Sequence, residues 1–201
     1  MFFKNYNFNQ SKEFQILGIL FLFSFFIRIP AVFLFGDTGL EYEWKTLVDN
    51  LVEYNQLAWK DCEFSYSTTK VCLDEGFLLP NLWMPPLYVY YLYLFKFLGL
   101  QDQYYILLIL FTQILFASLS VAVFYKINKI FFSDKISLYS SILFSIFPLH
   151  IYACCQISSI SLQTFLTILF IFFLFKLLNN KKLSSILFFS FCSCLLILLI
   201  C

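Results

Sequence analysis

The acidic residues of this chain are gathered rather than spread. Nine of the twelve fall between Asp37 and Glu75, inside a polar passage from Gly36 to Pro86 that holds three lysines in the same interval. Carboxylates placed this way can deprotonate or orient a hydroxyl, and Asp37, Glu41 and Glu43 stand first in the passage. Arg28, the only arginine, lies just ahead of it, and His150, the only histidine, lies far downstream. A guanidinium or an imidazole can receive a phosphate. Trp83 and Tyr88 close the passage with flat faces on which a sugar can stack. Each residue also has a plainer use. Helix carboxylates form solvated faces, aromatics form interfacial belts, an arginine near a span's end snorkels to the interface, and a histidine beside a proline bonds at that same boundary.

The elements that must carry these groups are written in apolar residues. The 201 residues are 61% hydrophobic, 22% aromatic and 12% charged, whereas a soluble domain has roughly a quarter of its residues charged. Several apolar runs approach or exceed the roughly 18 to 20 residues that cross a bilayer as helix. The chain therefore reads as an all-α, polytopic transmembrane bundle of about five to six spans. A net charge of +1 with no basic cluster argues against nucleic acid as a partner. Cys154, Cys155, Cys192, Cys194 and Cys201 sit in apolar runs and read as small hydrophobes. Cys62 and Cys72 lie in the polar passage; a disulfide in an oxidising compartment and two unpaired thiols stay equally open. The cysteine pairs lack the companion histidines of a metal site.

In chain order, residues 14–35 form a first span carrying Arg28 near its end, and 36–86 form a long external loop. Lys4 and Lys12 ahead of the span favour a cytoplasmic N-terminus, which puts the loop on the far side. Within it, Leu40–Tyr54 has helical spacing: Leu40, Trp44, Leu47, Val48, Leu51 and Val52 fall on one stripe. That spacing predicts an amphipathic helix lying flat on the membrane. Residues 55–79 read as irregular. Residues 87–201 hold the further spans, at about 104–125, 136–153, 157–177 and 183–201, with 87–100 undecided between crossing and re-entering. If 87–100 crosses, strict alternation puts the Lys126–Lys135 connection outside, against the preference for inside lysines. Residues 1–201 read as one membrane domain. Gln113 and Gln156 are intramembrane amides suited to tying helices together.

An ordered set of short passages carries a resemblance. Arg28 ends the first span; Glu41-Tyr42-Glu43-Trp44, Leu47-Val48 and Asn50-Leu51 follow; then come Leu82-Trp83-Met84-Pro85-Pro86-Leu87-Tyr88 and Leu94-Phe95-Lys96-Phe97-Leu98-Gly99. Residues 125–134 and Phe147-Pro148-Leu149-His150-Ile151-Tyr152 complete it. From Arg28 to Leu178 the chain resembles polyprenyl-phosphate-sugar-dependent glycosyltransferases of the C-type fold, relatives of the protein mannosyltransferases and the aminoarabinose transferases. The resemblance implies a lipid-linked sugar donor, an acceptor protein, lipid or glycan, and an external-loop carboxylate acting as base. Counted back from Asn50-Leu51, Glu43 ranks first for that base, Glu41 second, and Asp37 third. Arg28 and His150 would face the donor's phosphate, and Trp83 and Tyr88 its sugar. No metal ligands are assigned, though a divalent cation stays open as a cofactor because some relatives use one. The family continues through further spans, so the chain reads as the N-terminal part of such a module, a C-terminally truncated member. The implied place is a bacterial inner membrane or endoplasmic reticulum. The competing expectation is a non-catalytic accessory subunit or a transporter-like protein, which predicts individually replaceable loop carboxylates.

Overall fold

Backbone amides without water must bond within their own segment, so apolar runs of this length fold as helices. A computed structural model of the chain describes residues 10–60, 78–80, 84–99, 101–179 and 183–200. Its helices are α1 (Gln10–Phe35), α2 (Tyr42–Tyr54), α3 (Pro86–Phe97), α4 (Asp102–Phe131), α5 (Asp134–Ile146), α6 (Pro148–Cys155), α7 (Ile160–Asn179) and α8 (Leu183–Ile200). Two short strands, β1 (Ala58–Lys60) and β2 (Leu78–Pro80), pair antiparallel with Trp59 opposite Leu79. The expected irregular stretch 55–79 is thus ordered near both ends by a backbone ribbon. Cys62, Cys72 and Trp83 lie outside the described residues.

This is a helical membrane protein. Ser11–Phe35, Gln103–Phe131 and Ile160–Asn179 are each long and apolar enough to cross a bilayer, and α5 with α6 makes a fourth if the bent pair counts as one span. The sequence reads straight through that pair as one run, but the axis turns by 46° there. Pro148 is the cause: it lacks an N–H and drives the preceding residue out of the helical region, and Phe147 is extended at φ −62°, ψ 120°. α3 is 12 residues long, about 18 Å at 1.5 Å per residue, well short of a hydrocarbon core of about 30 Å.

The chain divides into two compact units, Met1–Asp37 with Leu110–Ile197 and Thr38–Ile109 with Leu198–Cys201. In the first, Leu20, Val121 and Tyr125 form a core joined by Ile16, Leu17, Leu138, Ile142 and Phe144. Lys129 reaches Glu13 at 3.6 Å and Asp134 at 3.5 Å, so the start of α1, the end of α4 and the start of α5 share one end. At the other end the Asp37 amide donates to the Cys155 carbonyl at 2.9 Å, joining the far ends of α1 and α6. Two serines buried along α5 return their hydroxyls to the preceding turn, Ser137 to the Ser133 carbonyl at 3.0 Å and Ser141 to the Ser137 carbonyl at 2.8 Å. That bond lets a polar side chain sit in an apolar bundle without a stranded donor. Phe14, Phe26 and Phe33 stand exposed on the outer face of α1, where lipid rather than water suits them.

In the second unit α2 packs on α3. The expected stripe holds in its middle: Trp44, Leu47, Val48 and Leu51 are buried, and Trp44 meets the Tyr88 ring edge-on at 4.9 Å, whereas Leu40 precedes the helix half-buried and Val52 is exposed. The expectation that this stripe lies in lipid is corrected, because protein covers it. Asn50 is buried as well and donates to the Ala58 carbonyl at 2.8 Å, fastening α2 to β1. The helix stops at Asn55, which takes the left-handed conformation (φ 54°) that ends many helices and that asparagine tolerates.

Candidate functional site

α1 and α6 bring together the two candidates for receiving a phosphate, Arg28 and His150. Arg28, with no exposed surface, donates from Nη1 to the Ser24 carbonyl at 2.8 Å and to the Ser24 hydroxyl at 2.5 Å. Its Nη2 lies 2.8 Å from His150 Nδ1, across 122 residues of sequence. An arginine only donates, so Nδ1 accepts and the ring proton sits on Nε2. The ring is fixed from its face too, stacked on Phe144 with centroids 4.4 Å apart. Cys154 gives its thiol to the His150 carbonyl at 3.2 Å, one turn along α6. Arg28 Nε and His150 Nε2 are both buried without a hydrogen-bond partner. A buried donor left unmade costs about 1–3 kcal/mol, and a charge held inside a membrane span demands compensation. Among the described residues, no carboxylate forms an ion pair with Arg28. Two unmet donors around one positive charge suit an oxyanion.

Beyond Cys155, five residues after His150, α6 ends in a break before α7, and side chains from three helices or helix ends hold that break. Asp37 Oδ2 accepts from the Ile157 amide at 2.6 Å. From α4, Gln113 donates to the Ser158 carbonyl at 3.1 Å. From α7, Ser161 donates to the Ala153 carbonyl at 3.0 Å. Irregular backbone in an apolar setting persists only where its polar groups are met by protein or water, and these three side chains meet them. Asp37 therefore has its carboxylate on a backbone amide.

Glu41 and Glu43 stand at the start of α2. Glu41 is exposed and occupies the N-cap position, giving its carbonyl to the Lys45 amide at 2.9 Å. Glu43, half-buried, is the acidic residue of the first turn, where the helix dipole favours a negative charge. Tyr88 is fully enclosed, with Trp44 on one side and Tyr91 stacked at 5.4 Å. Its expected use as a sugar platform is corrected: the ring is core. Sequence reading missed Ser24, Phe144 and Ser161. Ser24 was findable, since Ser24 and Arg28 are one helical turn apart; Phe144 and Ser161 leave no such trace.

No family model matches the chain, and no curated protein and no solved structure matches it.

Proposed function

We propose that the protein is a membrane glycosyltransferase that moves a sugar from a polyprenyl-phosphate-linked donor to an acceptor on the external, periplasmic or lumenal face. The observation that supports this reading is the Arg28–His150 pair, a buried cation and two donors without an acceptor. In it, Arg28 and His150 take the donor phosphate, and the guanidinium compensates the charge that grows as that phosphate leaves. Glu43, with Glu41 next in rank, takes the proton of the acceptor hydroxyl. The acceptor oxygen bonds to the anomeric carbon as the bond from that carbon to the phosphate oxygen breaks.

The reading uses five crossings: α1, α4, the α5–α6 pair, α7 and α8. With α3 not crossing, the N-terminus, the Lys126–Lys135 connection and the turn that carries Lys181 and Lys182 in sequence fall on one side, the cytoplasmic one by the positive-inside rule. The acidic passage then faces outward. The test is transfer from a radiolabelled polyprenyl-phosphate sugar by the purified chain in vesicles. Glu43→Gln should slow transfer by roughly 10²–10⁴-fold, with a smaller effect for Glu41→Gln. Unchanged rates in both variants would remove these carboxylates from the chemistry.

A second reading has its own observation. Both Arg28 Nη atoms are satisfied within the protein by Ser24 and His150, as in a polar staple between helices of an accessory subunit. Under it, Arg28→Gln lowers stability and no sugar transfer is found at all.

A further inference from the structure

We propose that Asp37 is a positioning residue, holding α6 so that His150 meets Arg28, and is not the base that its place in the acidic passage suggests. The Asp37 amide donates to the Cys155 carbonyl at 2.9 Å, and its Oδ2 accepts from the Ile157 amide at 2.6 Å. One residue thereby satisfies an acceptor at the end of α6 and a donor inside the break that follows. Such groups have no partner within their own helix, and in an apolar setting each left unmade costs about 1–3 kcal/mol.

The consequence for His150 is mechanical. α6 has 8 residues and begins at the Pro148 bend, so its near end is not held by a continuous helix. His150 is its third residue, and Asp37 grips the other end. α1 thus holds α6 at two points, by the Arg28 guanidinium and by Asp37, and Gly36 links the second point to the end of α1. The Gly36 amide continues the helical bonding to the Val32 carbonyl at 2.8 Å, so Asp37 is carried rigidly. Its carboxylate acts through the backbone it holds. The catalytic consequence rests on reading Arg28 and His150 as the phosphate receptor; the positioning itself does not.

His150 is the only histidine in the chain, so ring-¹⁵N-labelled histidine reports on this site alone. In the full chain in phosphatidylcholine nanodiscs, Nδ1 should show the resonance of an unprotonated, hydrogen-bonded nitrogen, with Nε2 protonated. Asp37→Asn keeps an oxygen for the Ile157 amide and should leave that spectrum unchanged. Asp37→Ala, and Asp37→Glu with its acceptor displaced by a methylene, should shift Nδ1 toward the unbonded position or split it between tautomers. In the transfer assay the asparagine variant should stay within a few-fold of the parent, and the alanine variant should lose roughly 10²-fold, the cost of misplacing a binding group by about an ångström. A parent-like spectrum for both Asp37→Ala and Asp37→Glu would overturn the proposal. So would a transfer loss in Asp37→Asn as large as in Asp37→Ala, the mark of a base. If alanine gives no folded protein, the asparagine and glutamate variants decide alone. If even the parent transfers no sugar, the glycosyltransferase reading fails, while the spectra still judge Asp37.

Discussion

At the scale of single residues, the chain's chemistry turns on what Arg28 lacks. A guanidinium with no exposed surface, inside an apolar helix, has both Nη atoms bonded to Ser24 and His150 and its Nε without a partner. Arg28→Lys retains the charge but, with a single ammonium in place of a planar fork, cannot reach Ser24 and His150 together. If the pair receives a phosphate, Arg28→Gln should lower transfer by roughly 10²–10³-fold, the usual cost of losing a preorganised electrostatic donor, with lysine recovering part of it. Binding of a short-chain polyprenyl phosphate to the chain in nanodiscs should weaken in the same order. Equal binding by all three proteins would leave only the staple role. The types of these residues were legible in the sequence, and their meeting was not. Nothing in the spacing of Arg28 and His150 announces a contact across 122 positions, because it depends on how α6 returns to α1. Asp37 is a related case. A carboxylate in an acidic passage looks like a reactive group, and nothing near it in the sequence announces its partner, a backbone amide 120 residues away.

At the scale of elements, helices were legible where hydrophobicity runs long, and their interruptions were less so. α4 follows its apolar run closely, whereas α5 and α6 are one run in composition and two helices in space. The stripe of α2 marks its buried face but not what buries it, since lipid and α3 both satisfy leucine and tryptophan. Gly36 illustrates a local constraint that periodicity hides. A Cβ there would collide with the Val32 carbonyl oxygen and press on the Leu110 side chain. Gly36→Ala should therefore destabilise the first unit by about 1–3 kcal/mol, as overpacking does. Gly18, in the middle of α1 with nothing near its missing Cβ, is the opposite case. Gly18→Ala should be neutral or stabilise by about 0.5–1 kcal/mol, the entropy glycine loses in a helix. Thermal unfolding of the two variants in one detergent, compared with the parent, reads both signs. Destabilisation by Gly18→Ala as large as that by Gly36→Ala would mean that α1 is packed differently on both faces.

At the scale of the whole molecule, the ion pairs within the first unit bear on a conflict that the sequence leaves standing. The Lys126–Lys135 connection prefers the cytoplasm, yet counting Leu87–Leu100 as a crossing sends it outside. The 12 residues of α3 are too few to cross alone, and Lys129 binds both Glu13 at the start of α1 and Asp134 at the start of α5. Those contacts require the chain's beginning and this basic connection to lie on one side, whatever that side is. Asp37 and the α6–α7 break lie at the opposite end of α1. Single cysteines introduced at Lys12, Lys135 and Ser159, in a chain whose native cysteines are replaced by serine or alanine, make this measurable with a membrane-impermeant maleimide. Labelling of the first two should require opening the cytoplasmic side, and Ser159→Cys should label from outside in intact cells. That expectation follows from the lysines, because holding several positive charges on the outer face opposes the positive-inside bias. Labelling of all three from outside would break the five-crossing arrangement. Labelling of the first two from outside and the third from inside would keep the bundle and invert it, leaving the acidic passage in the cytoplasm, where a donor presented on the outer leaflet could not meet Glu43.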